Sequence, residues 1–115
     1  MTAGGERIQM LQPSPPLELI VPCLASGDRI VFGEGTRTTP ERLLMAALRQ
    51  RPGGGRLVLC GVRPVEHTPF LRRFLPLACG VGFALVLEVE EPWPRAMLEP
   101  LLPWLTLVRG EPLDL

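Results

Sequence analysis

The sequence has no lysine, no tyrosine and only one histidine. It has three cysteines, an odd number that cannot all pair with one another. The cysteines are far apart and form no CxxC pair, so they predict neither a disulfide framework nor a complete metal-binding site. All basic residues are arginines, and they balance the acidic residues to a formal net charge of zero. We therefore expect no nucleic-acid partner and no attraction to an anionic membrane.

Long apolar segments are also missing. Every apolar run is well short of the roughly 20 residues that a membrane-spanning helix needs. The N-terminal region does not combine a basic end with a long apolar run, so no signal peptide is expected. Unpaired cysteines favour a reducing compartment, and we therefore predict a cytoplasmic protein.

What is present indicates one small α/β domain. Proline-rich residues 1–16 have the composition of a flexible arm, and residues 17–115 have the length of a single domain. Within that domain, short apolar segments alternate with amphipathic ones, which is typical of a parallel sheet packed with helices. We predict about four mostly parallel strands alternating with three helices, in a three-layer or half-barrel arrangement.

The predicted elements follow from local signals. Apolar runs predict strands over residues 17–21, 28–32, 57–60, 83–87 and 105–108, although 28–32 has a loop as its alternative. Thr39-Pro40, Thr68-Pro69 and Pro94 are typical helix starts. Pro76 is expected to bend or shorten the second helix.

Glu88, Glu90 and Glu91 follow a predicted strand at the edge where α/β sheets bind ligands. Such acids could hold a metal or act in general acid–base catalysis; the plain alternative is a solvated turn. Arg63, together with Gly61, could bind an anion after the preceding strand. His67 could act as a base, but no nucleophile is evident near it in the sequence.

The remaining candidates favour structural roles. Cys23, Cys60 and Cys79 lie on apolar segments and are expected to be buried, inert thiols. Gly33-Glu34-Gly35 is too short for a dinucleotide-binding fingerprint. Trp93 and Trp104 flank the third helix and are expected to pack in the core, unless a partial sheet leaves apolar surface uncovered.

Several segments together carry a family resemblance across residues 17 to 108. They are Val21-Pro22-Cys23, Thr39-Pro40-Glu41-Arg42-Leu43-Leu44, Arg51-Pro52-Gly53-Gly54-Gly55, Leu59-Cys60-Gly61-Val62-Arg63-Pro64, Glu88 and Leu98-Glu99-Pro100-Leu101-Leu102-Pro103-Trp104. In order and spacing, they resemble radical S-adenosylmethionine enzymes, specifically the activating enzymes of glycyl-radical enzymes. In that family a CxxxCxxC loop supplies three thiolates to a 4Fe–4S cluster, and a GGE turn receives the ammonium group of S-adenosylmethionine.

The resemblance implies a site that has lost its chemistry. Only Cys23 remains of the three cysteines, because Gly27 and Ile30 occupy the other two positions, and neither can ligate iron. Arg63 stands where the family has the acid of its GGE turn and should repel an ammonium group. Glu88 matches the acid of the family's ETNG-like turn. The implied protein is a truncated, degenerate relative with no expected cluster or S-adenosylmethionine. It would act as a binding or regulatory module, through a larger enzyme or by self-association at an exposed sheet edge.

A second, shorter resemblance covers Ser26 to Leu44. Ser26-Gly27-Asp28-Arg29-Ile30-Val31-Phe32-Gly33-Glu34-Gly35 with the following Thr39-Pro40 segment is similar to the N-terminal region of acetyl-CoA hydrolase/transferase proteins. It implies a CoA-transferase-like fragment that is active only with a second subunit. This interpretation expects residues 28–32 to form a parallel strand, whereas the radical-enzyme interpretation expects mostly loop over residues 23–38. An orphan α/β scaffold with accidental resemblances is the third alternative.

Overall fold

One mixed sheet organises the structure, a computed structural model that describes residues 16–110. Its strands are β1 (Val21–Ser26), β2 (Arg29–Phe32), β3 (Thr36–Thr38), β4 (Gly55–Cys60), β5 (Phe83–Val89) and β6 (Leu107–Gly110). The helices are α1 (Pro40–Gln50), α2 (Pro64–Gly80) and the single-turn α3 (Arg95–Leu98), with 3-10 turns at Leu17–Leu19 and Glu99–Trp104. Most of the predicted proline-rich arm lies outside the described residues.

The strand order is β3-β1-β2-β4-β5-β6. Strands β2, β4, β5 and β6 run parallel to one another, whereas β1 pairs antiparallel with both β2 and β3. The predicted α/β class with three helices is confirmed. The predicted count of about four strands is too low, because the sheet contains the antiparallel β1 and β3 beside the four parallel strands.

The first predicted strand is wrong in position. Residues Leu17–Leu19 form a 3-10 turn, and the first strand begins at Val21 and continues through Pro22. Proline lacks the donor that a strand normally uses, but the carbonyl of Pro22 still accepts a hydrogen bond from Gly33 N at 2.8 Å. Strand β2, by contrast, occupies Arg29–Phe32, so the segment left open in the sequence is a strand. The loop that the radical-enzyme interpretation expects over residues 23–38 is therefore wrong, because three paired strands occupy most of that range.

Helix α1 begins where the sequence predicts. The Thr39 hydroxyl accepts a hydrogen bond from Arg42 N at 3.3 Å, and Pro40 occupies the first helical position. Leu43 and Ala47, one turn apart, are buried on the face that meets the sheet. The helix stops at Gln50, just before Pro52 and the glycine triplet.

Helix α2 begins earlier and runs longer than predicted. It starts at Pro64 rather than at Thr68-Pro69, and it continues through both Pro69 and Pro76 to Gly80. The ring of Pro76 therefore does not shorten it. Burial outweighs the lost hydrogen bonds, because Phe70 and Phe74 are fully buried and truncating either to alanine would cost about 3–5 kcal/mol.

The third predicted helix and the last strand are shifted. Only Arg95–Leu98 is α-helical, and the chain continues as the 3-10 turn Glu99–Trp104. Pro100 and Pro103 explain the change, because each removes a donor from a continuing helix. Strand β6 then occupies residues 107–110 rather than 105–108.

The main core lies between the helices and one face of the sheet. Its members come from all three helices and from alternate strand positions, including Ile30, Leu59 and Leu87. The intervening strand residues form a small separate cluster of Val58, Cys60 and Val86 on the other face. Among residues 16–110 the helices thus pack on one face, giving two layers where three were an alternative. No helix in this range has the length and hydropathy to cross a bilayer.

Candidate functional site

The carboxyl ends of β4 and β5 frame a pocket of about 350 Å³. Its lining comes from the two segments that follow these strands: Arg63, Pro64, Val65, Glu66, Glu91, Pro92 and Pro94. This is the edge where α/β sheets place ligands. The Arg63 Nη1 atom lies 3.2 Å from Glu66 Oε1, and both side chains are largely exposed.

The charges of this pocket do not favour an anion. Arg63 supplies one positive charge, while Glu66 and Glu91 supply two negative ones. The predicted partner of Arg63 has a different role, because Gly61 has a φ of 69° and sits where a Cβ atom would lie 2.8 Å from the Phe32 carbonyl oxygen. The glycine is therefore needed to pack the end of β4 against the end of β2.

His67 is a structural residue of the α2 start. Its Nδ1 atom accepts a hydrogen bond from Arg63 N at 2.8 Å, and its ring packs on Phe32 with 5.1 Å between ring centroids. Burial lowers the pKa of the imidazole, although the nearby Glu66 opposes that effect. A buried, neutral ring whose Nδ1 lone pair is already used does not provide the exposed base that a catalytic role needs.

Cys23 lies on the helix side of the sheet. Its side chain is 5% exposed, and burial raises the pKa of the thiol to about 12. The register pairs it with Phe32 of β2 and Thr36 of β3, so it belongs to a paired strand rather than to a loop. It is a core thiol, as predicted.

Residues 27 and 30, at the positions of the family's second and third cluster cysteines, also belong to the β1–β2 hairpin. Gly27 has a φ of 61° and occupies the turn between β1 and β2, and Ile30 is fully buried in the core. The residues present do not fit a cluster held by three thiolates, since they offer one thiol and no second donor. Within residues 16–110, no group of three or more His, Cys, Asp or Glu side chains is placed to hold a metal ion.

Glu88 lies on the opposite face of the sheet from Cys23. Its carboxylate is 3.5 Å from Arg29 Nη1 and 3.8 Å from Arg109 Nη1. The Cys60 thiol donates to Glu88 Oε1 at 3.3 Å, and Arg29 Nη1 donates to Cys60 Sγ at 3.2 Å. Glu88 thus belongs to a polar cluster spanning β2, β4, β5 and β6, and the solvated-turn interpretation is wrong for this residue.

The other predicted residues divide between surface and core. Glu90 and Glu91 are exposed, as a solvated turn requires. Cys60 is buried, but Cys79 is only partly buried, and its thiol donates to the Trp104 carbonyl oxygen at 3.1 Å. Trp93 is fully buried, as predicted, whereas Trp104 is 39% exposed.

The polar cluster of Arg29, Cys60, Glu88 and Arg109 was missed by sequence reasoning. Its members are far apart in the chain and meet only through the strand register. Cys60 and Glu88 each directly follow a residue of the pair Leu59–Leu87, and Glu88 pairs with Arg109. Arg29 lies two residues before Val31, the partner of Cys60. The usable signal was alternation: these residues occupy the strand positions between those that fill the main core.

Comparisons with known proteins do not assign this chain to a family: no family model, no curated protein and no solved structure matches it.

Proposed function

We propose that this chain is a non-catalytic binding domain of the cytoplasm, related to the activating enzymes of glycyl-radical enzymes. The observation that carries the non-catalytic part of the proposal is the location of residues 23, 27 and 30, which lie in a buried strand, a tight turn and the core. The relationship itself rests on the resemblance in the order and spacing of the segments. Three unpaired thiols are compatible with a reducing compartment.

The residues at the position of the family's GGE turn support the same proposal. Gly61 is needed for close packing against Phe32, and Arg63 pairs with Glu66 at the rim of a pocket. An ammonium group there would meet the guanidinium of Arg63 in place of the family's acid. Each residue at these positions has a role in packing or in an ion pair that needs no cofactor.

Anaerobic reconstitution with iron and sulfide tests this proposal. We expect no stoichiometric cluster, no charge-transfer absorbance above that of a Cys23→Ser control, and no cleavage of added S-adenosylmethionine. The matched variant is informative because it removes the one thiol at a position where the family has a cluster ligand. A stoichiometric cluster that cleaves S-adenosylmethionine and is lost in Cys23→Ser would refute the proposal.

A second candidate function is a CoA-binding fragment that needs another subunit. The specific observation in its favour is that Arg29–Phe32 is a strand, pairs parallel with β4 and leads into the Gly33-Glu34-Gly35 turn. Calorimetric titration of CoA into the full chain tests it. Saturable binding of CoA would favour this candidate over the first.

A further inference from the structure

The sheet face opposite the helices carries a distinctive set of side chains. Because strand residues alternate between faces, those between the core positions share this side, which we name the open face. Its residues are Pro22, Leu24, Ser26, Arg29, Val31, Arg37, Arg56, Val58, Cys60, Ala84, Val86, Glu88, Leu107 and Arg109. In the part of the chain that the structure describes, no helix packs on it.

Apolar side chains run across the open face. Val58 and Val86 form its buried centre. Leu24 and Leu107, on strands toward its two sides, are 48% and 49% exposed. These two leucines flank the buried centre and give the open face apolar positions that a partner can cover.

The open face is also strongly biased in charge. It has four arginines and one glutamate, an excess of three positive charges, in a chain whose formal net charge is zero. Eight arginines and eleven acids therefore remain for the rest of the sequence. Such a concentration of one sign on one face attracts a partner of the opposite sign.

Glu88 neutralises only part of this charge. It lies between Arg29 and Arg109 at 3.5 and 3.8 Å, so two guanidinium groups share one carboxylate. Arg56 is exposed on β4, on the same side of the sheet. A bound carboxylate could therefore pair with the arginines without first displacing Glu88.

We infer that the open face docks an acidic segment of another protein whose aliphatic side chains alternate with its acids. The inference rests on the proposed binding function and names the chemistry of the partner. Carboxylates of that segment would pair with Arg29, Arg56 and Arg109, while its aliphatic residues would cover Leu24 and Leu107. A protein segment fits better than a nucleic acid, because the face has no aromatic side chain for base stacking, whereas its exposed Leu24 and Leu107 can contact aliphatic side chains.

Labelled peptides provide the direct test with the full-length chain. Fluorescence anisotropy would be measured for a ten-residue peptide alternating glutamate and leucine, beside peptides alternating arginine with leucine and glutamate with serine. We expect the glutamate–leucine peptide to bind at least about tenfold more tightly than either control, with an affinity that falls as salt screens the charges. Equal binding of all three peptides, or none, would overturn the inference.

Variants localise the binding. The double variant Arg56→Glu/Arg109→Glu should weaken the affinity for the glutamate–leucine peptide by about tenfold. Arg72→Glu changes the charge of an exposed α2 residue on the helix side and should have little effect on that affinity. Glu88→Gln removes the only acid of the open face and should tighten binding by about threefold. A gain of affinity cannot arise from unfolding, so this variant keeps the test valid if the double variant is unstable.

Other occupants give different results. Tighter binding of a single-stranded oligonucleotide than of the acidic peptide would overturn the inference in favour of nucleic acid. A concentration-dependent dimer that is abolished by Arg56→Glu/Arg109→Glu would overturn it in favour of a second copy of this chain. The reconstitution experiment reads cluster formation and not peptide binding, so failure of the proposed function and failure of this inference are distinguishable.

Discussion

The thiol of Cys60 lies 3.3 Å from the Glu88 carboxylate oxygen Oε1 across the β4–β5 pair. Burial is the main cause that raises the pKa of Cys60, and the hydrogen bond to Glu88 raises it further, while Arg29 acts in the opposite direction. The pair therefore keeps the thiol protonated. Thiol reactivity depends on the thiolate, so this arrangement protects Cys60 from alkylation.

The first prediction concerns that protection. In the folded protein at pH 8, iodoacetamide should modify the partly buried Cys79 first and Cys60 and Cys23 slowly. Glu88→Gln removes the carboxylate and should increase Cys60 labelling severalfold, as read by peptide mass spectrometry. Cys23, on the other side of the sheet, is the internal control. Equal acceleration at both sites would mean loosening of the fold, which contradicts the prediction.

Alkaline stability gives a second prediction. The sequence has no lysine or tyrosine, so between pH 9 and 12 its cysteines are the side chains that titrate. Burial raises the Cys23 pKa from 9.0 to about 12, so the native state keeps a proton that the unfolded chain releases. Stability should fall as pH rises through this window, by at most about 1.4 kcal/mol per pH unit for this thiol.

Chemical denaturation at several pH values measures that slope. Cys23→Ala should lower the free energy of unfolding at neutral pH, because it leaves a small cavity. It should also reduce the slope with which that free energy falls at alkaline pH. Cys79→Ala is the matched control at the more exposed thiol and should reduce that slope less. An unchanged alkaline slope in Cys23→Ala would count against the burial argument.

The third prediction concerns mild acid. Because burial lowers the His67 pKa, the imidazole of the unfolded state is protonated at a higher pH than that of the native state. The stabilising contribution is present above pH 6.5 and is lost as pH falls below it. His67→Asn keeps an acceptor near Nδ1 and should remove this acid sensitivity between pH 6.5 and 5.

Loss of the acceptor itself should be costly. His67→Leu leaves the Arg63 N–H without its partner and should reduce the free energy of unfolding by about 1–3 kcal/mol. Urea denaturation of both variants at pH 7 separates the two effects. If His67→Leu were as stable as the wild type, the capping role assigned to the ring would be wrong.

The fourth prediction compares two glycines of one turn. Gly33 and Gly35 have φ values of 92° and 83°, and a Cβ atom at position 33 meets open space. A Cβ atom at position 35 would overlap the carbonyl oxygen of Cys23. Gly33→Ala should cost about 1–2 kcal/mol for its backbone conformation alone, and Gly35→Ala at least about 2 kcal/mol more. Thermal unfolding of the two variants measures the difference directly, and equal costs would contradict the clash.

Local chemistry explains which elements the sequence predicts. Helix α1 is marked by Thr39 and Pro40, whose effects act within one turn. Strands β4 and β5 are marked by continuous apolar runs, which are typical of strands buried on both faces. The signals and their structural consequences lie within a few residues of each other, so no tertiary information is needed.

Tertiary contacts explain the failures. The α2 start uses His67 as the acceptor, a residue type that the usual capping rule does not include. Strands β1 and β3 are held by pairing across the sheet, so the proline within β1 is tolerated. The Arg29–Glu88–Arg109 arrangement depends on the register of four strands, which local pattern does not determine.

The strand order has a consequence for how the molecule opens. Strands β4, β5 and β6 each pair with the parallel strand before them in the chain, and β6 is held by β5 alone among the described strands. Amide protons of β4 and β5, enclosed on both sides, should exchange with solvent only when the whole domain unfolds, whereas β6 can detach without disturbing them. Deuterium uptake should therefore proceed inward from β6, making the sheet a graded series of local stabilities rather than one uniform unit.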